Sequence, residues 1–113
     1  MNTDDAWRLV EQARAERGLA GSSPQAVAER MAQLLAQRDP AEIVAFAQPW
    51  SDIVTDSYRA DLWAAAYVVN GGASEDGFDY FRGWLIAQGR AAYEIALLDP
   101  DSLAAADRPL LRR

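Results

Sequence analysis

Start signals for helices recur at short intervals along this chain, and they constrain its fold more than any other feature. A Ser or Asp before proline is typical of a helix start, because its side chain caps free N–H groups and proline suits the first helical position. Such pairs occur at Ser23-Pro24, Asp39-Pro40 and Asp99-Pro100. Thr3 and Ser74, each followed by acidic residues, are predicted to cap two further helices.

Glycine positions and apolar spacing support the same segments. Asn70-Gly71-Gly72 and Gly89 are predicted helix ends, since glycine readily takes the left-handed closing conformation. Apolar residues recur at helical spacing between these signals, and no segment alternates as a strand does. A chain of 113 residues is long enough for one core. We therefore predict an all-α fold, a compact irregular bundle of five to seven helices in a single domain over residues 1–113.

Three details of the helix boundaries concern single segments. Gly18 to Ser23 is predicted to end the first helix, and the chain from Asp107 onward is predicted to be frayed. Glu42, three residues after Asp39, predicts a capping box at that helix start. Pro49 is open to two interpretations, because proline can either kink a continuing helix or begin a new one.

The residue types that are absent exclude most classes of enzyme. The chain has no His, no Cys and no Lys. It therefore cannot supply a Ser-His-Asp triad, a Cys nucleophile, a Schiff-base lysine, a Walker-type phosphate loop, or a thiolate or imidazole metal site. Only carboxylate, Tyr, Ser/Thr and Arg chemistry remains, with oxygen-bound cations as the available metals. The sequence predicts no cofactor and favours a protein without catalytic activity.

Charge and hydropathy exclude two classes of partner. The net charge is −6, and the 11 basic residues are scattered, with one doublet at Arg112-Arg113. Binding to a phosphate backbone needs clustered cations, so nucleic acid is not an expected partner. The longest apolar run, Leu62 to Val69, has eight residues, whereas crossing a bilayer takes about 20. The acidic amino terminus does not resemble a signal peptide, and we expect a cytoplasmic protein that does not engage membranes.

The stretch from Asp61 to Gly89 carries a resemblance to a known family. Its most distinctive part reads Gly77-Phe78-Asp79-Tyr80-Phe81-Arg82-Gly83-Trp84-Leu85-Ile86. The chain resembles a bacterial family called Domain of Unknown Function 4240, and the resemblance continues nearly full length, through Tyr93 and the ending Asp99-Pro100-Asp101-Ser102-Leu103. Family members often have Ser-Asp-Asp at Ser74-Glu75-Asp76 and a Cys near Ala73. The resemblance implies no activity, substrate or catalytic residue.

The helix predicted after Ser74 offers the strongest candidate for a functional surface. Asp76, Asp79 and Arg82 are spaced by three and so share one helical edge. Tyr80 and Trp84 form a second apolar row, so this helix is either central in the bundle or has an interface on its outer side. Gly83 costs about 1 kcal/mol relative to Ala in a helix interior. We therefore expect a compensating close approach, by the surface that Ala64, Ala65 and Ala66 form.

Two interpretations of this stretch remain open. In the first, the aromatic residues fill the core and Asp79 forms an ordinary ion pair with Arg82. In the second, a binding cleft lies between the helix that ends at Asn70 and the helix that starts at Ser74. The candidate binding surface comprises Asp61, Trp63, Tyr67, Asn70, Asp76, Asp79, Tyr80, Arg82 and Trp84.

Three functions are compatible with this surface. The first is a non-catalytic protein-interaction or regulatory module, in which the Tyr80/Trp84 row or the acidic edge contacts another protein or a second copy of the chain. The second is a small-molecule or cation sensor that uses the Asp76/Asp79/Arg82 edge. The third is a hydrolase in which the carboxylates of Asp76 and Asp79 act as acid and base.

Overall fold

The computed structural model describes residues 1–17 and 23–105, apart from the side chains of Arg17, Asn70, Ala104 and Ala105. This part of the chain forms seven helices and no strand, which confirms the predicted all-α bundle. The helices are α1 (Thr3–Arg17), α2 (Pro24–Ala36), α3 (Pro40–Asp56), α4 (Ala60–Asn70), α5 (Glu75–Ala87), α6 (Arg90–Leu98) and α7 (Asp101–Ala105). Residues 18–22, where the first helix is predicted to end, and the tail from Asp107 lie outside the described residues.

Two of the predicted helix caps form as expected. The Oγ atom of Ser23 accepts a hydrogen bond from the Ala26 N–H at 3.1 Å. The Oγ atom of Ser74 accepts one from the Gly77 N–H, also at 3.1 Å. Each bond satisfies one of the N–H groups that a helix start leaves without a partner.

The first and third helices begin differently from the prediction. Asn2, rather than Thr3, caps α1: its Oδ1 atom accepts from the Asp5 N–H, and Asp5 accepts from the Asn2 N–H in return. Asp39 precedes α3 but makes no capping bond with its side chain. Glu42 pairs with the guanidinium of Arg38 at 3.2 Å, so the predicted capping box does not form.

Pro49 lies inside α3, which continues as one helix from Pro40 to Asp56. It therefore does not begin a new helix. Its ring is buried, and α3 packs against α1 and α2. Apolar packing compensates for the main-chain hydrogen bond that proline cannot donate.

Helix α5 lies at the centre of the bundle, where it contacts α1, α2, α4 and α6. Its buried residues join one apolar core to which all seven helices contribute. The largest side chains that are fully buried include Phe78 and Phe81 of α5, Leu9 of α1 and Leu62 of α4. None of the helices in the described ranges is long and apolar enough to span a membrane.

Candidate functional site

The side chain of Trp63, a residue of α4, lies between α4 and α5, where the sequence predicts a binding cleft. Its ring stacks on Phe78 of α5, with 4.8 Å between the ring centroids and 14° between the planes. Its indole N–H donates a 2.9 Å hydrogen bond to the carbonyl of Ala73, in the short connection between the two helices. This connection begins at Gly71, which closes α4 in the left-handed conformation at φ 74°. Trp63 thus joins the two helices rather than lining an open cleft.

Arg82 points inward and is 9% exposed. Its Nη1 atom donates to the carbonyl of Val54 in the last turn of α3 at 2.8 Å, and its Nη2 atom donates to Asp79 at 2.5 Å. The ion pair expected between Asp79 and Arg82 is therefore present, with a more deeply buried guanidinium than a surface pair has. The Asp79 side chain stays 54% exposed. The Nε atom of Arg82 has no hydrogen-bond partner within the described part of the chain.

Two aromatic rings surround this guanidinium. Its central carbon lies 4.8 Å from the ring centroid of Tyr58 and 5.2 Å from that of Phe78, distances at which a cation is attracted to an aromatic face. The Tyr58 hydroxyl donates to Glu75 at 3.3 Å. Loss of solvation and the adjacent Glu75 carboxylate raise the pKa of Tyr58. Both terminal nitrogens of Arg82 thus have partners within the chain, and its Nε atom has none among the described residues.

Tyr80 and Trp84 do not form one exposed apolar row, and α5 is central, which is the first of the two arrangements that the sequence allows. Tyr80 is 54% exposed, but Trp84 is 6% exposed and stacks on Phe81 with 6.0 Å between centroids. Trp84 faces α6 and α7, where it lines a small cavity with Leu103. Only Tyr80 of this pair is accessible to a partner.

The remaining candidate residues are dispersed. Asp61 is exposed and accepts hydrogen bonds from the Arg59 guanidinium on both carboxylate oxygens, which lowers the pKa of Asp61. Tyr67 is exposed on the outer face of α4, beside a shallow depression that Trp63 also lines. Asp76 is exposed in the first turn of α5. The side chain of Asn70 lies outside the described residues. The structure therefore does not bring the eight candidates whose side chains are described together into one site.

The sequence does not predict an apolar concavity between α2 and α5, which we call the α2–α5 groove. Its volume is about 260 Å³. Tyr80 and Gly83 lie along its exposed edge on α5, and Gln25 and Ala28 lie along its exposed edge on α2. Among the described residues, the polar side-chain groups of the lining are those of Gln25, Tyr80 and Trp50. The described lining residues are Val10, Pro24, Gln25, Val27, Ala28, Met31, Trp50, Tyr80, Gly83, Ile86 and Ala87.

Gly83 is exposed in the wall of this groove, inside α5. Outside its own stretch of α5, a Cβ atom built at this position would have no neighbour within 4 Å among the described residues. The predicted close approach by Ala64, Ala65 and Ala66 is therefore wrong. Nothing in the described part of the chain requires a glycine here, although glycine costs about 1 kcal/mol relative to alanine in a helix. A glycine inside a predicted helix is the sequence feature that could have indicated the groove.

The carboxylates near this edge are not arranged as a metal site. Among the described residues, no three acidic side chains come together in a way that could hold a metal ion. Asp76 and Asp79 are both exposed, and Asp79 is engaged by Arg82. Neither lines the groove. An acid–base pair for hydrolysis would instead need a pocket that positions a substrate between the two carboxyl groups.

The family model described as "Protein of unknown function (DUF4240)" matches residues 1–110 of the chain. This match confirms the resemblance found in the sequence and covers nearly the full length. Comparison with curated proteins and with solved structures found no significant match.

Proposed function

The chain belongs to the DUF4240 family, and we propose that it is a non-catalytic protein-interaction module whose α2–α5 groove receives apolar side chains of a partner helix. The observation that carries this proposal is Gly83. It lies in the groove wall, and no contact within the described part of the chain requires it. A glycine that weakens its own helix without internal compensation is explained if a partner approaches the α5 backbone at that point.

The dimensions of the groove suit side chains of a partner helix. The groove measures about 260 Å³. Along α5 its lining runs from Tyr80 to Ala87, which is about 10 Å at the helical rise. Two side chains one turn apart on a partner helix would fit this length. Insertion of an amphipathic helix into an apolar groove is a common mode of recognition.

The two alternative functions have less support. A sensor that uses the Asp76/Asp79/Arg82 edge would need Arg82 to face a ligand, but its guanidinium is buried against Val54 and Asp79. A hydrolase would need Asp76 and Asp79 to flank a substrate pocket, and both lie outside the groove lining.

The proposal can be tested with a displayed library of random peptides of about 15 residues, which is long enough for four helical turns. Peptides are selected on the native protein, and their dissociation constants are then measured for the native protein and for Gly83→Phe. The new ring would fill the groove and exclude an anchoring side chain. We expect binding to weaken by at least about 30-fold, which corresponds to a loss of about 2 kcal/mol at an interface hot spot.

Ala91→Phe is the matched control, because it places the same ring on an exposed position of α6 that does not line the groove. Both variants should retain the helical circular-dichroism spectrum of the native protein. Equal affinity of every selected peptide for the native protein and for Gly83→Phe would contradict the proposal.

A further inference from the structure

From the charges beside the groove, we infer that the partner segment is a basic amphipathic helix and that one of its Lys or Arg side chains faces Asp76. This inference rests on the proposed function of the groove and adds the chemistry of its occupant.

A single row of residues on α5 joins the groove to Asp76. Asp76, Tyr80, Gly83 and Ala87 are spaced by four, three and four residues, so they follow one face of the helix. The last three line the groove. Asp76 therefore lies one turn beyond its α5 end and is exposed there. A partner helix lying along this row would reach the carboxylate.

Asp76 has no ion pair or hydrogen bond from another side chain within the described residues. Each arginine whose side chain is described already pairs with another acidic residue of this chain. These arginines are Arg8, Arg14, Arg30, Arg38, Arg59, Arg82 and Arg90. A cation from a partner would therefore meet a carboxylate that no cation of the described part of the chain already pairs with.

The net charge of the chain indicates the sign of the partner's charge. At −6 the protein attracts basic segments and repels acidic ones, including further copies of itself. The first turn of α5 also carries Glu75 beside Asp76, which adds to the negative potential at this end of the groove.

The helical row also predicts where the basic residue lies in the partner. Asp76 and Gly83 are two turns apart on α5, which is about 10 Å. In a partner helix that follows α5, the basic residue should lie about seven positions from the apolar residue opposite Gly83. It should lie about four positions from the apolar residue opposite Tyr80, because i and i+4 side chains share a face.

The test uses peptides from the displayed library whose binding is weakened by Gly83→Phe. Their dissociation constants are measured for the native protein, for Asp76→Asn and Asp76→Arg, and for the same substitutions at Asp101. Asp101 is exposed on α7, away from the groove, and provides a matched change of charge. Each measurement is made at about 0.01 M and about 0.15 M salt, because screening weakens contacts between exposed charges.

We expect Asp76→Asn to weaken binding by about two- to five-fold, as loss of an exposed ion pair does. Asp76→Arg should weaken it by roughly ten-fold at low salt, and the Asp101 variants should change it by less than about two-fold. A peptide in which the basic residue is replaced by Glu should regain affinity for Asp76→Arg. This reciprocal exchange separates direct pairing from a general effect of the substitution on α5.

Two outcomes would overturn the inference in distinguishable ways. The basic partner is overturned if the peptides that depend on Gly83 lack a basic residue. It is also overturned if their affinity falls equally with the Asp76 and Asp101 variants. In both cases the groove remains the binding site. A selection in which no peptide is sensitive to Gly83→Phe would remove the proposed function of the groove, and this inference with it.

Discussion

The guanidinium of Arg82 donates a 2.8 Å hydrogen bond to the main-chain carbonyl of Val54, although 28 residues separate the two in sequence. Val54 lies in the last turn of α3, where carbonyls lack partners within their helix and carry partial negative charge. The Ser57 hydroxyl donates to the same carbonyl at 2.7 Å. The buried cation of α5 thus holds the end of α3, which explains why Arg82 does not face a ligand.

Replacing Arg82 with Met should destabilise the protein by about 2–3 kcal/mol, because a buried hydrogen bond from a charged group is lost while the side-chain volume is largely kept. Urea denaturation measures the free energy of unfolding. Arg38→Met is the control, since Arg38 forms an exposed pair with Glu42 and should cost less than about 1 kcal/mol. Equal losses in the two variants would contradict a structural role for the Val54 contact.

Tyr93→Phe should cost about 1–2 kcal/mol, because the buried Tyr93 hydroxyl donates to the carbonyl of Ile53 at 2.5 Å. Burial, together with the Asp56 carboxylate, raises the pKa of Tyr93 to about 12. Since the folded state favours the neutral phenol, the stabilisation is fully present below pH 10 and is lost as the pH rises through 12.

The native protein should therefore lose about 1 kcal/mol more stability than Tyr93→Phe between about pH 9 and pH 11. Denaturation curves of both proteins at the two pH values measure this difference. Parallel losses would mean that Tyr93 titrates equally in the folded and unfolded chains.

Gly83→Ala and Gly89→Ala should change stability in opposite directions. Gly83 is helical with open space around it, so alanine should stabilise by about 0.5–1 kcal/mol. Gly89 has a φ of 104°, and a Cβ atom there would lie 2.7 Å from Nη1 of Arg14 and 2.8 Å from Oε2 of Glu11. Alanine at 89 should therefore destabilise by about 1–3 kcal/mol. The thermal unfolding midpoints of the two variants and of the native protein measure these changes. A lower midpoint for Gly83→Ala would mean that the fold itself requires glycine at this position.

Glu11→Ala should destabilise by about 0.5–2 kcal/mol, the range for loss of a helix cap. The Glu11 carboxylate accepts a 2.8 Å hydrogen bond from the main-chain N–H of Arg90, at the start of α6. Glu94→Ala, which removes only an exposed partner of the same arginine, should cost less than about 0.5 kcal/mol. Chemical denaturation of the two variants decides between a specific cap and a general effect of charge.

Most helix boundaries could be predicted from the sequence because their signals are local. Ser23 and Ser74 cap the next turn of their own chain, and Gly71 closes the helix directly before it. The cap of α1 differs by one residue from the prediction, because Asn2 and Thr3 are both good capping residues. Such choices depend on a few neighbouring atoms, and pattern alone separates them poorly.

The candidate site was harder to predict because it depends on which helices pack together. The spacing of three residues predicts the ion pair between Asp79 and Arg82, and this pair is present. The burial of Arg82 could not be predicted in this way, because it depends on the carbonyl of Val54 at the end of α3. Periodicity places Tyr80 and Trp84 in one row, but it does not indicate that α6 and α7 cover Trp84. The α2–α5 groove likewise exists only after two helices distant in sequence come together.

The α3 end has a consequence for the cooperativity of folding. Its last carbonyls receive donors from Arg82 in α5 and Tyr93 in α6, 28 and 40 residues downstream. A fragment that stopped after α3 would leave both carbonyls without these partners and would lack the central helix. The amino-terminal and carboxy-terminal halves should therefore unfold as one unit, and neither should form a stable subdomain when expressed alone.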